Sequence, residues 1–436
     1  MRKIMKPFDL TRTKGLSSDG VRFALRNGLL GLLLAVSGGV YAQEAGVTAT
    51  TIRVGGIMDL SGESKMRGST IKAGIEAALK NEKVQGRTIE FIAMDDAFNP
   101  KAAVEATKQL LGQGIFAMIG NTGGPSIKAE LPLLAENKIP AIGFPIGVDY
   151  LRSGSGDIIN LRASFAQEAL LVLENALATG IKPQEICAYL PNDAGGTANL
   201  AILKNALASH PNMEATIAKL EQVIAMPGEE NDRNGIGPVG FFTRHTQMQA
   251  RPGYESLKQW EKTANTKCRL VMTVGGTNLP LSSFIGYSRY KGENWLISVT
   301  SQIEVNAFKE ELTKNRVADN IILTQVVPTT DSSLPIVEDA RKALGEQLDS
   351  SSLEGYLAGK MFLAIMRNIK GDITRANFLN AARGQSFDLG GLPLDFTNDN
   401  QGSDFVQLLT LEEGAFKAKN SRQMQKSLNP RTLSAR

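Results

Sequence analysis

From Thr51 onward, short apolar runs alternate with amphipathic stretches, and the alternation breaks near 160–165 before starting again. Alternation of this kind builds a parallel sheet covered by helices on both faces, so the expected class is α/β with two doubly wound units. In the first block Ile52–Val54, Ile89–Met94, Ile115–Ile119 and Ala141–Phe144 read as strands. The first of them leads into Asp59-Leu60-Ser61-Gly62 and a helix with Met66, Ile71, Ile75, Ala78 and Leu79 roughly on one face. Asn99-Pro100 caps and starts a second helix, and Gly124-Pro125 opens a third with Ile127, Leu131, Leu134 and Ala135 on its apolar side. After Asn160-Leu161-Arg162, strands are expected at Ile186–Leu190, Ala218–Ala225, Leu270–Val274, Trp295–Val299 and Ile321–Val327. Two helical stretches, Ser352–Ile369 and Thr374–Arg383, precede extended segments at Phe387–Phe396 and Phe405–Leu411. Pro227–Gly253, rich in Gly, Asn, Arg and Gln, reads as a long loop, a lid-like or disordered insertion.

The amino end stands apart from this pattern. A basic stretch, an apolar run from Leu29 to Val36 and the small-residue pattern of Val40-Tyr41-Ala42 have the order of a secretory signal, with cleavage near Ala42. The first 42 residues hold seven basic and two acidic side chains, so they carry all of the net +4 and leave the remainder near −1. No basic stripe remains for nucleic acid. No later apolar run is long enough to span a bilayer, so the mature chain is expected to be soluble and not integral to a membrane. Cys187 and Cys268 would meet an oxidising periplasm. Each lies early in an expected buried strand, and the spacing leaves open a disulfide or two inert core thiols.

Reactive chemistry finds little support. After Gly120, Pro125 and Ser126 stand where a phosphate loop needs glycine and lysine, and Gly120–Gly124 lacks the dinucleotide fingerprint. The two histidines, His210 and His245, accompany no nucleophile elbow and stand at no zinc spacing to the cysteines. Asp95-Asp96 points to opposite faces of a strand and reads as satisfying loop amides. No cofactor and no metal are expected. What remains is recognition by loops beyond the carboxyl ends of the strands: Asp59–Gly62, Asn121–Ser126, Phe144–Gly147, Asn192–Gly196, Gly275–Asn278 and Thr300–Gln302. Glycines and a helix amino end at Asn121–Ser126 suit a small anion.

These residues resemble the type I periplasmic substrate-binding proteins of ATP-driven (ABC) importers, the leucine/isoleucine/valine-binding class. The similarity rests on "GNTGGPS", "IPAIGFPIG" with Leu151-Arg152, "NLRASFAQE", "ILTQVVP", "SLEGYLAGK" and "DLGG" with "NQGSDFVQL", in that order from Thr51 to about Leu411. It implies two lobes, 50–163 with 330–383 and 164–329 with 387–416, after the 1–42 signal, and a poorly ordered tail at 417–436. Three crossings near Ala163–Phe165, Val327–Thr330 and Arg383–Leu389 would form the hinge, with Arg162, Ser164, Glu168 and Pro328 as its residues. Arg162 and Glu168 read as an anchoring ion pair or as ligand contacts. The ligand loops carry over to Ser61, Gly62, Asn121, Thr122, Gly124, Ser126, Phe144, Pro145, Ile146, Asp193 and Ala194, and the strand-end loops add Gly276, Thr277 and Thr300. Two glycines and Pro125 replace part of the hydroxyl-rich loop of amino-acid binders, and no second-lobe acid for an α-ammonium group stands out. A small carboxylate or amide therefore fits as well as an amino acid. The resemblance implies a periplasmic monomer that closes on a small-molecule ligand and docks on a membrane permease, with no bond made or broken. A ligand-sensing subunit of a receptor, or a periplasmic enzyme, are the rival readings.

Overall fold

The computed structural model describes residues 44–152, 157–228, 232–243, 249–274 and 277–428; the side chain of Ala194 also falls outside it. The signal segment, Gly276 and His245 therefore lie outside the described residues.

The first half contains β1 (Thr51–Met58), α1 (Lys65–Leu79), β2 (Lys83–Val84), β3 (Arg87–Asp95), α2 (Pro100–Gly112), β4 (Ala117–Ile119), α3 (Gly124–Glu136), β5 (Ala141–Ile142) and β6 (Ile158–Ile159). The chain continues through α4 (Phe165–Ala178), β7 (Ile186–Pro191), α5 (Ala194–Ala208), α6 (Glu214–Ile224), β8 (Val239–Phe242), α7 (Arg251–Thr263), β9 (Leu270–Met272), α8 (Asn278–Tyr290), β10 (Leu296–Val299), α9 (Val305–Lys314) and β11 (Ile321–Gln325). It ends with α10 (Pro335–Leu344), α11 (Ser350–Asn368), α12 (Arg375–Ala382), β12 (Ser386–Asp388), β13 (Pro393–Asp395), β14 (Gln407–Glu412), β15 (Ala415–Lys419) and α13 (Ser421–Leu428).

Two sheets result. The first has the order β2-β3-β1-β4-β5-β6 and is parallel except for the short β2. The second has the order β15-β14-β11-β10-β9-β7-β8, parallel from β11 to β8, with β14 antiparallel to both β11 and β15. Parallel strands buried on both faces read as apolar runs, as β9 and the first three residues of β11 do. One apolar cluster fills the α1/α10/α11/α12 side of the first sheet, and another covers the α7/α8/α9 side of the second. A third runs from the α2/α3 face through Phe144, Ile146 and Phe165 to the α4–α6 face, so the two sheets share it.

Glycines bring α1 and α11 together. A Cβ on Gly74 would stand 2.0 Å from the Ser352 carbonyl oxygen, and one on Gly355 would stand 2.2 Å from that of Ile71. Only hydrogen fits at either site, so "SLEGYLAGK" is a backbone-to-backbone helix contact.

The structure corrects four expectations. Ala218–Ala225 is not a strand: it falls in α6, where Thr216, Leu220 and Val223 are buried at helical spacing. The missing strand is β8, inside the stretch read as an insertion, paired in parallel with β7. The β12–β13 hairpin buries Leu389, Leu392, Leu394 and Phe396 in the first sheet's cluster, so the third crossing falls at 401–406 rather than at Arg383–Leu389. The tail is built into the fold through residue 428: β15 pairs with β14, and α13 buries Met424 against the α4 side.

Cys187, near the start of β7, and Cys268, two residues before the neighbouring β9, form a disulfide with Cα atoms 5.7 Å apart. It closes a loop spanning 81 residues. In the chain-entropy model, closing a loop of that length removes about 4–5 kcal/mol of denatured-state freedom. The Cys187→Ala/Cys268→Ala variant is expected to lose about 2–5 kcal/mol of unfolding free energy in urea titration; an unchanged midpoint would show that the bond adds no stability.

Candidate functional site

A cleft of about 1390 Å³ opens between the carboxyl-terminal edges of the two sheets. One wall carries Glu63, Arg67, Phe98, Thr122–Pro125, Lys128, Pro145, Ile146 and Tyr150; the other carries Asn192, Asp193, Asn199, Asp232, Phe242, Thr277 and Gln302. Every parallel strand that reaches it does so with its carboxyl end, where loops and helix amino ends converge.

Several expected residues meet here. Thr122, Gly124, Pro145, Ile146, Asp193 and Thr277 line the cleft. Ser61 and Gly62 sit just before its Glu63–Ser64 rim, where Asp59 accepts from the Gly62 and Ser64 amides at 2.5 and 2.7 Å. Ala194 begins α5 at the same wall. Others turn inward. Asn121 is fully buried: its Oδ1 accepts from the Ile57 amide at 3.2 Å, and its Nδ2 donates to Glu130 Oε2 at 2.5 Å. Ser126 and Phe144 are buried beneath the loops, and Thr300 is buried behind its own. Asn121 thus braces the cradle from beneath, and neither Asn121 nor Ser126 lines it. Asp193 caps α5, accepting from the Gly196 amide at 2.7 Å. His210 is not among the lining residues.

Below the cleft lies a buried charge network. Arg162, at the first crossing, pairs with Glu168 of α4 and reaches Glu354 of α11 at 3.3 Å, while Arg67 of α1 pairs with Glu354 at 2.9 Å. Glu168 also accepts from the Ser301 amide and hydroxyl, both at 3.0 Å, and from the Thr324 hydroxyl. Arg162 stacks over the Phe165 ring at 5.6 Å. Arg162 and Glu168 form a buried ion pair, and neither is among the residues that line the cleft. Ser164 caps α4 with a reciprocal box to Gln167, and Pro328 lies buried in the second crossing. Arg152 donates to the Arg162 carbonyl at 2.8 Å and to Gln401 at 2.6 Å, which ties the first crossing to the third. Burial and the neighbouring Arg162 charge lower the Arg152 pKa to about 10. The Pro145 carbonyl joins the two walls at the floor, accepting from Arg67 at 3.2 Å and from Gln302 at 2.8 Å.

Gln302 belongs to the expected Thr300–Gln302 loop, whereas sequence reasoning missed Arg67, Phe98, Lys128 and Tyr150. Phe98 follows Ala97 in a turn where both residues adopt left-handed backbones, φ 57° and 48°. Such conformations cost a bulky residue on the order of 1 kcal/mol or more. Asp95 Oδ1 accepts from the Ala97 amide at 2.9 Å, and Asp96 Oδ1 from the Phe98 amide at 3.0 Å. Oxygens of Asp59, Asp95 and Asp96 lie within 4.8 Å of one another, a set that could hold a cation, but each carboxylate already serves backbone amides of these turns.

Residues 51–218 match the family model described as periplasmic binding protein. The chain has the periplasmic-binding-protein fold. Among solved structures, a possible leucine/isoleucine/valine-binding protein from Rhodopirellula baltica is 27% identical, with a TM-score of 0.74 over 88% of this chain and 99% of that one. A branched-chain amino acid transporter protein from Thermus thermophilus, with bound valine, is 14% identical, with a TM-score of 0.66 over 85% and 95%. A solute-binding protein from Rhodopseudomonas palustris, in complex with p-hydroxybenzoic acid, is 16% identical, with a TM-score of 0.64 over 85% and 96%. Among curated protein sequences none matches. The periplasmic-binding-protein family and these neighbours are solute binders rather than enzymes, as expected of this chain. No helix among the described residues is long and apolar enough to cross a membrane.

Two predictions follow from the buried groups. Glu168→Ala would strand Arg162, and urea unfolding should show a loss of about 3–5 kcal/mol; a loss under 1 kcal/mol would mean that water or Glu354 compensates. Glu130 is raised well above its ordinary 4.5, first by burial and then by the Asp96 charge, against the Asn121 hydrogen bond. The folded state therefore keeps a proton that the unfolded chain has released, so stability falls as pH rises above about 4.5. Glu130→Gln should match wild type near pH 4 and exceed it at pH 8; parallel stability–pH curves would refute the assignment.

Proposed function

We propose that this chain is the periplasmic solute-binding component of an ATP-driven importer, capturing a small carboxylate, amide or amino-acid-like ligand between its lobes. The observation that carries the reading is the cleft itself, walled by strand ends from two sheets and joined at its floor by Arg67, Pro145 and Gln302. The family match and the secretory pattern of the first 42 residues support periplasmic residence. Two neighbours of the same fold hold valine and p-hydroxybenzoic acid, both small carboxylates.

In this reading, the domain division is two lobes that rotate about the crossings at 160–165, 326–334 and 401–406. The open form exposes both walls, and a ligand touching both favours the closed form, so binding shifts a pre-existing balance. A membrane permease then reads closure as occupancy, and the binding protein acts as a monomer. Thr122, Gly124, Pro145, Ile146, Asp193 and Thr277 contact the ligand from the two sides.

The test is a thermal-shift screen of residues 43–436 against amino acids, carboxylates and amides. A ligand at a hundred times its Kd adds about 2.7 kcal/mol to folded-state stability and raises Tm. Gly124→Leu, whose side chain would project between Ile146 and Tyr150, should abolish the shift without lowering the unliganded Tm. A shift that survives this substitution would place the ligand elsewhere.

A further inference from the structure

We propose that Glu304 and Asp349 share one proton across the two halves of the molecule, a latch that holds the halves in the arrangement seen here and releases them when the proton leaves. The inference rests on reading the halves as lobes that rotate about the crossings, and it adds a control of that rotation by pH.

Each of the two carboxyl groups starts a helix. Glu304, beyond the end of β10 in the second half, caps α9, its Oε2 accepting from the Ala307 amide at 2.9 Å. Asn278 of α8 fixes the backbone there: its Oδ1 accepts from the Glu304 amide at 3.0 Å and its Nδ2 donates to the Glu304 carbonyl at 2.9 Å. Asp349, in the first half, caps α11, its Oδ1 accepting from the Ser352 amide at 2.7 Å. Arg67 draws the two helix starts together. Its Nη1 donates to Ser351 Oγ of α11 at 2.9 Å and to the Ser301 carbonyl, three residues before Glu304, at 3.4 Å. One oxygen of each carboxyl group thus serves its own helix, and the two groups meet in a side-chain hydrogen bond.

That bond needs a proton. An ionised carboxylate only accepts, so two carboxyl groups in contact bond when one of them is protonated and otherwise repel. Glu304, 8% exposed, is the holder. Burial first, and then the Asp349 charge and the hydrogen bond to it, raise its pKa above the ordinary 4.5, against the Ala307 and Asn306 amides. No cation beside the pair is free to offset this. Arg67 of α1 is engaged by Glu354 of α11, which also takes Arg162. On α9 the next charged side chain is Lys309, in the second turn, and the first turns of α8 and α11 carry no charge. Glu346, in the turn before α11, is exposed.

The direction follows from where the proton sits. In the arrangement seen here Glu304 keeps its proton above pH 4.5. With the halves apart it loses both its burial and the Asp349 charge, and it titrates as an ordinary glutamate. This arrangement is therefore favoured at low pH, and it loses its bond as pH rises from 4.5 through the raised value. Above that, two like charges oppose each other on facing helix starts. The Glu130 proton lies within the first half and does not distinguish the two arrangements. A solute that prefers one arrangement is then coupled to protons, and protons to the solute, by the same factor.

Spin labels read the arrangement directly. The native cysteines are joined to each other, so Met66→Cys and Leu279→Cys, both exposed at the starts of α1 and α8, take the labels alone. Pulsed electron–electron distance measurement on unliganded residues 43–436 should give one dominant distance at pH 5 and a second population at pH 8. The ratio of first to second should fall about tenfold, as a proton held about tenfold more tightly in one arrangement requires. Asp349→Asn keeps the α11 cap and supplies an amide that donates to the Glu304 carboxylate at any pH, so its ratio should stay at the pH 5 value. Glu304→Gln should do the same from the other side. A ratio unchanged between pH 5 and pH 8 with both carboxyl groups in place, or a change that survives either substitution, overturns the latch. A second population already dominant at pH 5 also overturns it. In each of these cases solute capture stands on the thermal-shift screen. A single distance at every pH, unmoved by any solute that raises Tm, removes the rotation as well as the latch.

Discussion

Arg162 is the residue around which the two halves of the molecule are arranged. Its guanidinium is 1% exposed, and it meets Glu168 and Glu354, which come from opposite halves. A charge taken so far from water costs several kcal/mol unless its partners are fixed and fully bonded. That requirement dictates the surroundings. Glu168 needs Ser301 and Thr324 from the strand ends of the second sheet, and Glu354 needs Arg67 from α1. The network therefore specifies where α1, α4, α11 and the ends of β10 and β11 stand relative to the first crossing. Its value lies in that specification; the net energy of such a buried cluster is small beside the cost of breaking it.

The network depends in turn on a close helix contact. Glu354 precedes Gly355, and Arg67 precedes Gly68, whose Cβ would stand 2.0 Å from the Asp59 carbonyl oxygen. With Gly74 against Ser352 and Gly355 against Ile71, α1 and α11 approach until their backbones touch. Larger residues there would separate the helices and draw Arg67 away from Glu354. Arg67 also donates to the Pro145 carbonyl, so helix packing reaches the cleft floor through one side chain.

Much of this was legible in the sequence because the information is periodic. Strand–helix alternation, the cap at Asn99-Pro100 and the glycine-rich junction after β4 all have local causes. The failures have physical causes too. The stretch over 218–225 is rich in Ile, Leu and Val, which suits a buried strand, but its buried positions follow a helical period. β8 hides among glycines because it is a four-residue edge strand whose pairing with β7 is set from fifty residues away. In the cradle, Asn121 and Ser126 have the residue types of ligand contacts, and only burial shows that Asn121 instead binds Ile57 and Glu130. Phe98 gave no signal, since two left-handed residues in a row are imposed by Asp95 and Asp96, not by their own propensity.

The same contrast explains why the cleft suits capture rather than reaction. Of its lining carboxylates, Asp193 caps α5 and Asp232 accepts from the Asn234 amide, while Asp59, Asp95 and Asp96 behind the rim serve loop amides. Its buried arginines are committed as well. Arg233 donates to Asn192 and to the carbonyls of Met226 and Gly228, and Arg152 to the crossing. A group whose lone pairs or protons are fully engaged in holding a loop is a poor acid, base or nucleophile, but it makes that loop stiff. The disulfide acts on the second wall from the opposite edge, tying the amino end of β7 to the residue two before β9, the strands whose carboxyl ends lead toward Asn192–Asp193 and Thr277. On the proposed two-lobe reading, stiff walls joined by three short crossings leave rigid-body rotation as the soft motion. A ligand that touches both walls then has only that motion through which to express its binding energy.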